Sequence, residues 1–174
     1  AIRDVYKRQR FQHVAGRDLP VLEGAGKRLR LILGSGWGER APVDTASEMV
    51  YADVVLAPGA AIPLPDEHED RGAYVVEGAV EVAGQTHAAG QMMVFCPGDR
   101  LALKAGAQGA RLMILGGATL EGPRYIWWNF VASSKERIEH AKEAWRRGDW
   151  EHGRFRLPPG DDAEFTPLPD RPGP

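Results

Sequence analysis

His68 stands between Glu67 and Glu69, and His87 follows further along the chain. Two histidines and a carboxylate are the donor set of a facial site for non-haem iron, so His68, Glu69 and His87 are candidate metal ligands. Neighbours along a strand point to opposite faces, which would turn Glu67 and Glu69 away from His68; the run then reads as solvated loop charge. Cys96 has no neighbouring residue type that would activate its thiol and reads as a small core side chain. Met92, Met93 and Met113 read as core filling. Gly34-Ser35-Gly36-Trp37-Gly38 has the composition of a phosphate loop. Such a loop needs a helix N-terminus behind it, and Glu39-Arg40-Ala41-Pro42 offers a proline instead. The stretch reads as a loop carrying Trp37 against a neighbouring surface. At Trp127-Trp128, strand alternation would put one ring in the core and the other outside, where it could meet a partner.

These side chains need elements to hold them. From Asp66 to Leu103 four short apolar runs, Tyr74-Val76, Val80-Val82, Met92-Phe95 and Leu101-Leu103, are separated by glycine turns. Val80 and Val82 alternate with Ala79, Glu81 and Ala83, the period of a strand with one buried face, while Gly78, Gly84, Gly90 and Gly98 would break any helix. The stretch predicts an antiparallel meander. Leu29, Leu31 and Leu33 alternate with Arg28 and Arg30, Met49-Leu56 and Arg111-Leu115 are further strands, and Tyr125-Phe130 is a last aromatic run. Ile62-Pro63-Leu64-Pro65 must stay extended and belongs at a sheet edge. Ser133 with Glu136 forms a capping box that starts a helix with an Ile138/Ala141/Trp145 stripe and a stop at Gly148. Glu143 and Arg147 have the spacing of a surface ion pair.

The bulk properties bound the function. With 174 residues, 43% of them hydrophobic, the chain can bury one good core and is short for two. Its 22 basic and 24 acidic residues are interspersed, leaving no electrostatic footprint for nucleic acid or an anionic membrane. No apolar run approaches the roughly 20 residues of a membrane span. The single Cys96 cannot form an internal disulfide, which suits a reducing cytoplasm. Residues 1–10, basic and without period, read as a disordered leader or a non-native scar. Residues 11–151 read as one domain, with a β barrel over 27–130 and the helix over 133–148. A proline-rich irregular tail follows at 152–174.

Gly59, Tyr74-Val75-Val76-Glu77-Gly78, Gly90 and Pro97-Gly98-Asp99 resemble the two motifs of a cupin, a double-sheet jelly roll. In a metal-binding cupin the first motif carries two His and a Glu, and the second another His. Matched onto this chain, the Glu position holds Arg71, the first His falls at Leu64 or Pro65, the second at Asp66 or Glu67, and the last at Leu101 or Ala102. None of these is such a ligand. Leu29-Arg30-Leu31-Ile32, Leu115-Gly116-Gly117, Trp127-Trp128-Asn129-Phe130-Val131, Ser134-Lys135-Glu136-Arg137-Ile138 and Phe165-Thr166-Pro167-Leu168-Pro169 resemble, more narrowly, the C-terminal half of a pirin.

That resemblance implies an all-β cupin jelly roll with one C-terminal helix, metal-free and without catalytic residues of its own. It would support an iron-dependent, quercetin 2,3-dioxygenase-like N-terminal barrel, with non-haem iron expected only there. Other implied readings are a protein-binding transcriptional co-regulator and a stand-alone cupin that binds a small molecule. The expected partners are the N-terminal pirin barrel, another protein or a second copy, through Trp37 and one of Trp127 or Trp128.

Overall fold

The computed structural model describes residues 12–157, 160 and 164–169; the expected leader at 1–10 lies outside them. After a 3-10 turn at Gly16–Asp18 come β1 (Val21–Gly24), β2 (Lys27–Gly36), β3 (Glu39–Arg40), β4 (Met49–Leu56), β5 (Ala61–Pro63) and β6 (Asp70–Val82). They are followed by β7 (Gln85–Ala88), β8 (Met92–Phe95), β9 (Ala102–Gly117), β10 (Tyr125–Trp127), β11 (Phe130–Ala132) and α1 (Lys135–Arg147). The expected all-β fold with one C-terminal helix is present.

The long strands β6 and β9 are the spine of the sheet. Along its length β9 pairs first with β5 and then with β4, while β6 pairs with β8 through Arg71–Tyr74 and with β7 through Ala79–Val82. Each long strand thus serves two neighbours, and a single ladder can wrap into the two walls of a jelly roll. The bend falls where the β6–β9 register shifts, around Gly78. There φ is +73°, and a Cβ would lie 2.2 Å from the Gly109 carbonyl oxygen, so no other residue fits. Three two-residue turns, Ala25-Gly26, Trp37-Gly38 and Ala83-Gly84, have both residues at positive φ, the geometry of type I′ hairpins.

The inner face follows from pairing and alternation. Leu29, Val54, Leu112 and Val75 form one buried row across β2, β4, β9 and β6; Leu31, Ala52, Ile114 and Ala73 form the next. Val80 and Val82 are buried as their alternation predicts. Leu33 is not: a bulge between Leu31 and Leu33 breaks the alternation, and it stays half-buried. Strand β2 continues through Gly34, Ser35 and Gly36, so the expected loop shrinks to Trp37-Gly38. Strand β5 pairs with β9 alone, at an edge, as its prolines require.

The chain divides into two compact units, one ending at Thr119 and the other beginning at Leu120. The sequence alone reads as one domain over 11–151 with its barrel over 27–130; the large sheet itself ends with β9 at Gly117. Strand β9 is the last of the large sheet, Gly122-Pro123 interrupts the backbone pattern, and β10 and β11 pair with each other in a separate hairpin. Within the second unit, Ile138 and Ala141 of α1 are buried with Phe130 and Phe155, and Trp127, Trp128, Trp145 and Trp150 pack around them. The helix stripe therefore docks on aromatic side chains of this unit. The described part of the tail joins the same cluster: Phe155 stacks on Phe130 at 5.4 Å, and Trp145 Nε1–H donates to the Thr166 carbonyl at 2.9 Å.

The helix cap is Ser134, whose Oγ accepts from the Arg137 N–H; Ser133 Oγ instead accepts from the Arg137 guanidinium. Gly148 ends the helix in the left-handed conformation, as predicted. The surface pair that forms is Lys142–Glu139 at 2.7 Å rather than Glu143–Arg147. Among the described residues no helix is long and apolar enough to cross a membrane.

Candidate functional site

Arg71, at the start of β6, is 3% exposed. Its Nη1 donates to the Asp99 carbonyl at 2.7 Å and to the Pro65 carbonyl at 3.4 Å, and its Nη2 to the Cys96 carbonyl at 2.8 Å. The Pro97-Gly98 turn that presents two of these carbonyls is closed by Asp99: its N–H donates to the Cys96 carbonyl, and its Oδ2 accepts from the Cys96 N–H. The guanidinium thus joins β6 to the loops before and after the motif strands, and Nε finds no hydrogen-bond partner among the described residues. A buried charge is tolerated only where such bonds compensate its lost hydration.

The other motif positions gather around one cleft of about 430 Å³, lined by Leu64, Pro65, Asp66, Glu67, Leu101 and Ala102. Trp37 and Arg100 complete its rim. These residues do not fit iron. A guanidinium has no lone pair for a metal, Leu64, Pro65, Leu101 and Ala102 offer no side-chain donor, and Asp66 and Glu67 alone fall short of a closed donor set. Among the described residues no group of three or more His, Cys, Asp or Glu side chains could hold a metal ion.

The structure does not gather His68, Glu69 and His87. His68 is buried, with Nε2 2.8 Å from the Ser35 carbonyl oxygen, while Glu67 and Glu69 are exposed on either side of it in the irregular segment between β5 and β6. His68 lines a polar cavity of about 410 Å³ with Arg40, Glu48 and Glu67. His87, half-buried, lines a different one beside Met92 and Met93. Cys96 is exposed, which corrects the core reading: its backbone is committed to Arg71 and Asp99 at the edge of a turn. Of the methionines, only Met93 is buried; Met92 is 47% exposed.

The aromatic interface candidates also move. Trp37 is half-buried against the core, with its Nε1–H donating to the Pro63 carbonyl at 2.9 Å. Trp127 and Trp128 both pack into the aromatic cluster, because Trp128 sits in the hairpin turn at φ +49°, where alternation no longer applies. The exposed apolar side chains lie elsewhere. On the outer face of the large sheet, Val94, Met92, Tyr74 and Leu115 come from three adjacent strands. Their individual alternation was readable; their adjacency required the register.

The wrapped sheet and its two motif turns define a cupin. The particular family is equally plain: residues 51–153 match the pirin C-terminal cupin domain, and the chain belongs to that family. It is 43% identical over 161 residues to a pirin-like protein from Caulobacter vibrioides, covering 92% of this chain and 54% of that protein. It is 26% identical over 139 residues to Pirin-1 of Arabidopsis thaliana, covering 76% and 48%. The crystal structure of a quercetin 2,3-dioxygenase from Acinetobacter baumannii matches with a TM-score of 0.68 at 28% identity, covering 88% of this chain and 52% of that one. The chain spans about half the length of the relatives it matches.

Proposed function

We propose that this chain is the metal-free supporting domain of a pirin-like protein, packing against an N-terminal barrel that carries non-haem iron and a quercetin 2,3-dioxygenase-like activity. The observation that carries the reading is Arg71. At the position where a metal-binding cupin has a Glu ligand, a guanidinium is buried and spent on the carbonyls of Pro65, Cys96 and Asp99. The domain keeps the shape of a cupin and uses its former metal position as a structural tie. A cytoplasmic location belongs to the same proposal, supported by the single exposed Cys96.

The surface offered to the partner barrel is the outer sheet face of Tyr74, Met92, Val94 and Leu115. Contiguous apolar surface of this kind is a common mark of an interaction site. The test is elemental analysis of the purified chain, joined to oxygen uptake with quercetin. The expected result is less than stoichiometric iron, zinc, nickel or copper and no uptake by the chain alone, with uptake when an N-terminal pirin barrel is added. One metal per chain, lost on replacing His68 or His87, would overturn the reading.

A further inference from the structure

We propose that the cleft beside Trp37 binds a small aromatic amine, a planar ring carrying an ammonium group. The inference concerns this domain alone, so its failure would leave the supporting role standing, and the reverse holds too. The cleft's volume of about 430 Å³ lies within the usual range for small-molecule sites. Its apolar wall is Pro63, Leu64, Leu101 and Ala102, surfaces that favour a ring over a polyol.

Trp37 supplies the aromatic side of the site. Its N–H is already committed to the Pro63 carbonyl, so what it has left to offer a ligand is the π-system. It occupies the first central position of a type I′ turn at φ +53°, where Asn, Asp or Gly is the usual choice. A bulky residue held at positive φ is an outlier of the kind that clusters at ligand clamps, kept in place by the packing around it. Here that packing is the barrel core, which fixes the ring before any ligand arrives.

Charge selects the second half of the ligand. Three ionisable side chains line the cleft: Asp66, Glu67 and Arg100. Arg100 Nε lies 3.8 Å from Asp66 Oδ2, which leaves Glu67 as the carboxylate without an ion pair among the described residues. A cation is the complement of that residual charge, and an ammonium beside an indole gains from the ring's quadrupole as well. An aromatic carboxylate would meet Glu67 with like charge.

The experiment titrates the intact chain with tyramine and with 3-(4-hydroxyphenyl)propionate, which share a phenol and differ in the sign of the side-chain charge. Binding is followed by calorimetry and by the indole N–H resonance of Trp37. Tyramine should bind once per chain at millimolar or lower concentration, shift that resonance, and bind at least tenfold more tightly than the propionate, as roughly 1.4 kcal/mol of charge discrimination requires. Glu67→Gln, at an exposed position that leaves the fold intact, should erase the difference between the probes. Ala102→Arg, also at an exposed position, should abolish binding by filling the cleft. Equal binding of the two probes, an unmoved Trp37 resonance, or unchanged tyramine binding in both variants would overturn the proposal.

Discussion

Arg71 Nη1 lies 2.7 Å from the carbonyl oxygen of Asp99, so a buried side chain of β6 holds the Pro97-Gly98 turn by its backbone. Removing the guanidinium takes the side-chain donor from the Pro65 and Asp99 carbonyls, while the Cys96 carbonyl keeps the Asp99 N–H; each carbonyl left without a partner costs about 1–3 kcal/mol. Arg71→Met, close in length but apolar, should therefore lower stability by about 3 kcal/mol in urea melts. A variant within half of that of the parent would show the tie to be dispensable.

Gly78 and Gly84 both have positive φ, at +73° and +79°, but differ in room. A Cβ at Gly84 meets nothing within 4 Å, whereas at Gly78 it strikes the Gly109 backbone. Gly84→Ala should cost about 1 kcal/mol from backbone conformation alone, and Gly78→Ala well over twice that. Equal losses in denaturant melts would mean that the β6–β9 crossing yields more easily than its geometry indicates.

The second unit can be probed through tryptophan fluorescence, since four of the five tryptophans lie in it. Trp145→Ala should cost about 3 kcal/mol, the low end for a large aromatic because the ring is only half-buried. Ser134→Ala should cost about 1 kcal/mol, and Ser133→Ala less than half as much, because Ser134 caps the helix. The reverse order for the two serines would restore the capping box read from the sequence.

Glu136 in the first turn is held below the usual carboxylate range, first by its own backbone N–H and then by the Ser134 hydroxyl. Its folded pKa is lower than its unfolded one, so its contribution is complete above the ordinary value of about 4.3 and is lost as pH falls through the lowered folded value. Helix melting followed by circular dichroism should become less steep with pH on that acid limb in Glu136→Gln. An identical acid limb in parent and variant would contradict the assignment.

Much of this was legible because alternation and turn chemistry are local. Leu29, Leu31, Val80 and Val82 announce their faces, and Ile138, Ala141 and Gly148 announce a helix and its end. What the sequence hid depends on partners far along the chain or on a residue's φ. His68, in a run of carboxylates, looks solvated, yet it is buried on the carbonyl of Ser35. Trp128 looks like a strand residue until the turn takes it out of alternation. Arg71 was visible as a missing ligand, but its role as a tie needed the Cys96 and Asp99 carbonyls in three dimensions. The division at Thr119 was hidden because three-residue strands such as β10 and β11 leave almost no periodic signal.

The supporting role is tested most directly by sedimentation velocity of this chain mixed with an N-terminal pirin barrel, beside the same mixture made with Val94→Asp. Val94 is 80% exposed, so a charge there should leave the fold intact while spoiling the outer face of the sheet. The account predicts a one-to-one complex with the parent chain and none, or one at least tenfold weaker, with the variant. Two species that sediment independently with the parent, or a complex indifferent to Val94→Asp, would contradict it.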